Sequence, residues 1–597
     1  MAGKTKLELT WIGKDERPRL EPRILIEEPE FSYHAEIRRE GDHFDNMLIH
    51  GDNLLALKAL ETDSNVRGKV KCIYIDPPFN TQQAFPNYDD GIEHSLWLSL
   101  MRERLTILRD LLSQDGTIFI HIDDNELAYL TVISDEIFGR ANRVSIVTFK
   151  QGSATGHKSI NPGVVSTSNF ILVYARDKRF WKPNRIFVER SSGRDVRYNQ
   201  FIVNKHESYQ GWKFIPLMKA FAEHLGLPEK GLKKALGQDF EEKITEFVHE
   251  SADCVTRPAR PDYNAVSEEA RRMIDLSKAD QSQVHRLVRD GGLSDMYFKS
   301  GERILFYKDK LKFIDGAWVS GEPLTSIWDD ILSNNLHNEG GLEFPKGKKP
   351  EALIKRCIEL ATGTGDLVLD SFGGSGTTVA VAHKMKRRWI VVELGDHAKT
   401  HIVPRMKKVI DGADKGGATE AVNWKGGGGY RFFKLAPSLL QKDKWGNLVI
   451  NKDYQPEMLA EAICKHFNYT YAPSAEHYWM HGKATENAFI YVTTNSLTFD
   501  QLKTLSDEVG EERSLLVCCM AYEGAGDSLT NLTIKKIPRV VLDRCEWGKD
   551  DYSLNIAALP LQDEEPEVAE VPAAKPKKNK SAVAQTQTSL FDGTEEN

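Results

Sequence analysis

Apolar positions along this chain fall into two alternating rhythms from Asn46 onward. "MLIHGDNLLALKAL" gives a short apolar run, a turn at Gly51-Asp52, then apolar residues at helical spacing. "VKCIYID" carries four consecutive apolar residues, Cys72 to Ile75, and reads as a buried strand that runs into an acid. "IEHSLWLSLMRERLTILRDLLSQDG" repeats Leu100, Leu105, Leu108, Leu111 and Leu112 and stops at Gly116, which predicts a helix of about five turns. "TIFIHID" is the next strand, and "DNELAYLTVISDEIFG" is a helix ended by Gly139. "RVSIVTFK" and "FILVYARD" are two further strands. Strand alternating with helix predicts βαβ units and a largely parallel sheet.

The alternation lapses over residues 151–325, where Gly, Ser, Asn and aromatics mix with a few polar helices, one of them around Glu268–Leu276. It resumes at "PEALIKRCIELATGTGDLVLDSFGGSGTTVAVAHKMKRRWIVVELG", which reads as helix, strand, Gly-rich loop, helix and strand. Residues 415–430, "KGGATEAVNWKGGGGY", read as a linker or flexible loop. A third α/β segment follows, with "NAFIYVTT", "FDQLKTLSDEVG" and "SLLVCCMAY" as strand, helix and strand. From about Leu561 the composition is acidic, then basic, then Gln/Thr-rich, which predicts a disordered tail.

A length of 597 residues exceeds one core, and at ~150 residues per domain suggests about three or four. The net charge of −8 excludes a uniformly basic surface, so any nucleic-acid face must be local. Residues 151–220 supply such a locality, with twelve Lys/Arg against four Asp/Glu. Aromatics are interleaved there, Phe180, Trp181, Tyr198, Tyr209 and Trp212 among them. That mixture suits a nucleic-acid face, or equally a solvated basic surface over a separate aromatic core. The seven cysteines show no paired spacing, so they read as reduced thiols with no zinc site. The N-terminal stretch lacks the apolar core of a signal peptide, and no apolar run approaches the ~18 residues of a membrane span. A cytoplasmic location is the expectation. "HIDDNE", His121 to Glu126, is tempting as a metal cluster but reads better as a strand end capping the next helix.

The Gly-rich loop narrows the chemistry. "LVLDSFGGSGTTVAVA" runs from a strand ending at Asp370 through Gly373, Gly374 and Gly376 into a helix. Backbone N–H groups can approach a ligand there, and an acid, Glu393, ends the next strand, where it can accept from ribose hydroxyls. The unit reads as a nucleoside-binding half of a doubly wound sheet. Val379 occupies the last place of a dinucleotide fingerprint, and no Lys-Ser/Thr follows the glycines as in a Walker loop. Asp370 would repel a pyrophosphate and suits a cationic ligand, such as the amino group of a methionine-derived sulfonium.

The two motifs together carry a resemblance. Asp-Pro-Pro-Phe at a strand end, Asp76 to Phe79, with "DSFGGSGTT" after it, resembles the amino-group DNA methyltransferases that use S-adenosylmethionine. The order of the motifs, with a long region between them, resembles the circularly permuted β group. "IHGDNLLALKAL", "YIDPPFNT", "GTIFIHIDDNE", "TSIWDDI" and "KGGGGYRFFKLAPSLL" resemble the modification (Mod) subunits of type III restriction–modification systems. The resemblance spans roughly residues 46–440. It implies an α/β fold: a circularly permuted Rossmann-like methyltransferase sheet with an inserted target-recognition domain and a smaller C-terminal α/β domain. The expected division is an N-terminal arm (1–45), a catalytic half (46–150), the recognition insert (151–325, its start open because 169–176 can belong to the core sheet), a cofactor-binding half (326–414), a C-terminal domain for dimer or partner contacts (415–560) and the tail (561–597).

Residue roles follow from the resemblance. The exocyclic amine of adenine is a poor nucleophile because its lone pair is delocalised into the ring. Asp76 can accept a hydrogen bond from it, and the carbonyl of Pro77 can be a second acceptor, fixed by Pro77 and Pro78. Phe79 can stack on the flipped base. Asp370, Phe372, Gly374 and Gly376 would line the cofactor, Glu393 would bind its ribose and Asp52 would sit near its adenine. Phe344, Lys349 and Pro350, in a stretched "EFPKGKKPEALI", are further cofactor candidates. Ser371 stands where Pro is common in the family, and Gly373 where Ala is common.

The implied partners are double-stranded DNA, a second copy of the chain, and a separate restriction (Res) subunit carrying the ATPase and nuclease, since no Walker loop is present here. "QTSLF", Gln587 to Phe591, resembles the peptide by which bacterial proteins dock on the DNA sliding clamp. No metal is implied. The competing readings are an orphan or N4-cytosine DNA methyltransferase, a recognition scaffold for a nuclease, a protein-glutamine methyltransferase and, more distantly, an NAD-dependent oxidoreductase.

Overall fold

The computed structural model describes residues 8–553 apart from 79–89, 153–162, 292, 315, 332–338, 342–347 and 525–527. Phe79, Phe344 and Gln587–Phe591 lie outside the described residues. The long apolar runs become the centre of one mixed sheet. Its strands lie in the order Leu25–Glu27, Gly429–Leu435, Asn46–His50, Arg388–Glu393, Leu367–Asp370, Val70–Ile75, Leu112–Ile122, Ser168–Ala175, Arg143–Lys150, Ile327–Trp328. The six from Gly429–Leu435 to Leu112–Ile122 are mutually parallel. Ser168–Ala175 then runs antiparallel to Leu112–Ile122.

Both faces of this sheet are covered, which is why its strands read as unbroken apolar runs rather than alternating ones. Val70, Cys72, Ile73 and Ile75 are wholly buried, as are Val368, Leu369, Val391 and Val392. One layer holds Leu54, Leu57, Trp97, Leu105 and Leu108. The other holds Leu353, Ile354, Val379, Ile402 and Met406.

The described elements move several boundaries. Strand Ser168–Ala175 pairs on both sides within the main sheet, so the insert proper begins after Ala175. The arm contributes sheet strands of its own, Leu25–Glu27 and Tyr33–His34, both antiparallel to Gly429–Leu435. Residues 415–430 are packed, not a linker. Trp424 is buried and its indole donates to the Val409 carbonyl at 2.7 Å, and the last of the four glycines opens the Gly429–Leu435 strand. The glycine run misleads because close backbone approach and flexibility leave the same composition.

Within the insert, a six-stranded antiparallel sheet packs on helices Leu217–Leu225 and Phe240–Glu250, with Glu268–Ala279 against its other strands. Tyr198 and Trp212 are core residues here, and Tyr174 belongs to the main sheet. The interleaved aromatics are therefore largely structural, and the local basic charge is what remains of the nucleic-acid signal. The C-terminal segment builds a five-stranded sheet flanked by Pro456–His466 and Phe499–Val509, the latter opened by a Thr498/Gln501 capping box. "HIDDNE" forms no cap: Glu126 makes no side-chain cap bond, and Asp123 accepts from Asn125. Among the described residues no cluster suits a metal, and no helix is long and apolar enough to cross a membrane.

Candidate functional site

The two central strands, Val70–Ile75 and Leu367–Asp370, lie side by side with Cys72 opposite Val368 and Ile73 opposite Leu369. Beyond Val70–Ile75 the sheet continues to Leu112–Ile122, and beyond Leu367–Asp370 it continues the other way to Arg388–Glu393. Such a reversal opens a crevice outside the carboxyl ends of the strands. Asp76 follows one of these ends and Asp370 is the other, so both acids stand at its mouth.

Asp76 has one oxygen engaged and one open. Its Oδ2 lies 2.8 Å from Lys349 Nζ. Its Oδ1 is screened from solvent and has no hydrogen-bond partner among the described residues. A buried acceptor left unmade costs about 1–3 kcal/mol, so such an atom asks for an explanation, and an incoming donor is one. Burial pushes the Asp76 carboxyl up from the ordinary aspartate range, and the Lys349 ammonium draws it back down. Pro77 is buried and Pro78 exposed. The indole of Trp97 donates to the Pro78 carbonyl at 2.9 Å and so pins the turn.

The glycine loop sits on the other strand. Asp370 is buried and its Oδ1 accepts from the Phe372 N–H at 2.9 Å. Burial pushes its carboxyl up to about 7; Thr378 and Phe372 bonds oppose this, and the charges of Asp76 and Glu393 add to it. Glu393 accepts from the Gly374 N–H at 2.6 Å and from the Gly395 N–H at 2.9 Å. Gly376 has φ +73°, a conformation that favours glycine. The departure at Gly373 has a steric cause. A Cβ there would meet Val391 Cγ2 at 2.6 Å and the Val392 carbonyl oxygen at 3.1 Å. Ser371 Oγ is buried and unpartnered among the described residues.

Asp52 is a helix cap. Its Oδ1 accepts from the Leu54 and Leu55 N–H groups at 2.9 and 3.0 Å. Its Oδ2 accepts from the Tyr552 N–H at 2.9 Å and faces Arg104 at 3.6 Å. Its neighbour Asn53 makes the link to the loop, donating to the Ser371 carbonyl at 2.8 Å. Lys349, a cofactor candidate in the sequence, stands against Asp76, and Pro350 occupies the N-cap position of the Glu351–Ala361 helix.

Behind both motifs lies an ionic cluster that the sequence reading missed. Glu351 is wholly buried and lies 2.8 Å from Lys384 Nζ and 2.7 Å from Arg405 Nη2. Lys384 also meets Asp414 at 2.8 Å. Arg405 donates onward to the Ser375 carbonyl at 3.0 Å and to Thr377 Oγ1 at 2.9 Å. The segment bearing Lys349 and the glycine loop are thus braced by one set of charges. Read along the chain, Glu351, Lys384 and Arg405 pass for solvated helix charges. The one sequence-level hint is their place: Glu351 opens the helix after Lys349-Pro350 and Lys384 closes the helix after the glycines.

The chain is also similar to known proteins. The model of the DNA methylase family matches residues 70–404. The chain is 35% identical over 430 residues to the probable type III restriction-modification enzyme HindVI Mod subunit of Haemophilus influenzae, covering 68% of this chain and 56% of that one. It is 28% identical to the StyLTI Mod subunit of Salmonella typhimurium, covering 62% and 55%. It is 30% identical to the EcoPI Mod subunit of Escherichia phage P1, covering 64% and 61%. The chain therefore spans a little over half the length of these relatives.

Proposed function

The chain belongs to the DNA methylase family, and from that premise we propose that it methylates the N6 amine of an adenine flipped from double-stranded DNA, with S-adenosylmethionine as methyl donor, as the Mod subunit of a type III restriction–modification system. The observation that carries the reading is the open Oδ1 of Asp76, buried at the end of a central strand. It can take an N–H of the amine while Lys349 holds the other oxygen, which returns electron density to nitrogen as the new C–N bond forms. The Pro77 carbonyl is the second acceptor, and Phe79 is the stacking ring.

The residues around the glycine loop fit S-adenosylmethionine. The charges of Asp76 and Glu393 both act on Asp370 at one end of the sheet, and this concentration of carboxylates favours a cationic ligand and disfavours a pyrophosphate. Asp370 would face the amino group and Glu393 the ribose hydroxyls. Phe372, Gly374 and Gly376 would line the path between them, and Phe344 and Pro350 are further candidates to contact the cofactor. Asp52 would act on the adenine end indirectly, through Asn53 and the Ser371 carbonyl. When bound, S-adenosylmethionine supplies an activated methyl group, so positioning by these residues can provide much of the acceleration.

The insert after Ala175 serves as the target-recognition domain in this reading, with phosphate contacts setting affinity and a few side chains reading bases. Similarity to three Mod subunits supports the type III assignment. The reading carries with it a Res subunit and a second copy of the chain as partners, and the QTSLF peptide, Gln587 to Phe591, adds docking on the sliding clamp. The test is to incubate the protein with labelled S-adenosylmethionine and, separately, DNA, RNA and protein, then digest and identify the product. N6-methyladenine in DNA is expected; N4-methylcytosine or labelled protein overturns the reading.

Lys349 gives a pH test. Lys349→Met removes the charge that holds the Asp76 carboxyl down, so burial acts unopposed and the carboxyl rises further. Activity at pH 7 should fall about tenfold or more, and the acidic limb of the pH–rate profile should move to higher pH. A raised cofactor Kd with an unmoved profile would return Lys349 to the cofactor site.

A further inference from the structure

At the amino ends of the central parallel strands, opposite the end that carries Asp76 and Asp370, lies a second, strongly cationic cleft of about 720 Å³. Arg67 reaches it from just ahead of the Val70–Ile75 strand, and Arg109 and Asp110 from the last turn of the Asp90–Leu111 helix. Arg176, Asp177, Lys178 and Arg179 follow the end of Ser168–Ala175. Five cations thus face two carboxylates in a chain whose net charge is −8.

Pairing these groups off leaves a surplus of donors. Asp177 is taken by Arg179, which donates from Nε at 2.9 Å and from Nη2 at 2.6 Å. Asp110 lies 3.5 Å from Arg176, and the facing Nη1 is buried without a hydrogen bond. Lys178 is spent on the Arg143 carbonyl. Arg109 Nε is likewise buried with no acceptor, and the side chain of Arg67 reaches the cleft from an exposed position. Arg109 and Arg176 are close enough that the charge of Arg109, with burial, lowers the Arg176 pKa. Two neighbouring guanidinium groups with buried, unmade N–H bonds are an arrangement that an anion would relieve.

We propose that this cleft binds a phosphate-bearing anion, with Arg109 and Arg176 as its main donors and Arg67 at its outer wall. Planar guanidinium forks match phosphate oxygens, and a multiply charged anion offsets two adjacent cations better than a single carboxylate does. The volume is that of a small-ligand site rather than of one ion. The phosphate can therefore belong to a free di- or polyphosphate or to nucleic-acid backbone. Nothing in this proposal depends on the methyl-transfer reading, because the groups involved lie apart from the Asp76 crevice.

The test uses the full chain at fixed ionic strength, with inorganic pyrophosphate and a short DNA duplex as separate probes in titration calorimetry. Pyrophosphate is expected to bind, and Arg109→Gln to weaken that binding about tenfold. Arg67→Gln, a change at an exposed residue, should weaken it less and keeps the test informative if the first variant does not fold. If only duplex binding responds to the two substitutions, the source is nucleic-acid backbone and the site stands. If neither probe responds to either substitution, the cleft is not an anion site and the proposal fails.

Discussion

Asp76→Ala should lower methyl transfer by about 10²–10⁴-fold in single-turnover measurements while changing the cofactor Kd less than about twofold. The separation follows from where the oxygens point. Asp76 Oδ2 meets Lys349 and Oδ1 meets nothing among the described residues, whereas the bonds that order the glycine loop come from Asp370 and Glu393. Removing the carboxylate deletes the acceptor that the amine needs only as it becomes a nucleophile, an interaction made in the transition state more than in the ground state. Asp76→Asn is the graded control. It keeps an acceptor oxygen but loses the charge, so its activity should fall between the parent and the Ala variant. Activity of Asp76→Ala within tenfold of the parent, or cofactor binding lost along with activity, would mean that the role given to Asp76 is wrong.

That prediction rests on features of unequal legibility. Strands such as Val70–Ile75 and Leu367–Asp370 announce themselves because a sheet covered on both faces demands unbroken apolar runs. The acids at their ends are visible for the same reason, since a charge directly after such a run has few bland explanations. Partners distant in sequence are not visible. Lys349 lies 273 positions from Asp76, and only the adjacency of the two central strands and the helix start at Glu351 brings them together. Asp52 shows the converse: an acid at a strand-to-helix turn reads as a ligand, and the cap it makes on the helix that follows is not weighed. The glycines of 426–429 misled in a third way, because composition does not distinguish a chain that must bend freely from one that must pack closely.

The buried cluster behind the loop should show the largest stability effect in the molecule. Glu351 is wholly inaccessible, pairs with both Lys384 and Arg405, with Asp414 as the second carboxylate on Lys384, and also accepts from the Ala418 N–H at 2.9 Å. Glu351→Ala leaves Arg405 buried without its carboxylate and Lys384 with Asp414 alone. Breaking a buried pair by removing one partner costs about 3–5 kcal/mol, because the remaining charge has been taken out of water without compensation. The expected result is a clear fall in the thermal midpoint together with weaker cofactor binding, since Arg405 also holds the Ser375 carbonyl and Thr377. Removing both charges separates these effects. The double variant Glu351→Met/Arg405→Met should be more stable than Glu351→Ala, because no unpaired guanidinium stays buried, yet should bind cofactor no better, because the loop has lost its brace. A Glu351→Ala protein that melts with the parent would show that Lys384 and Arg405 find other partners or water. A double variant that recovers cofactor affinity would show that Arg405 does not position the glycine loop.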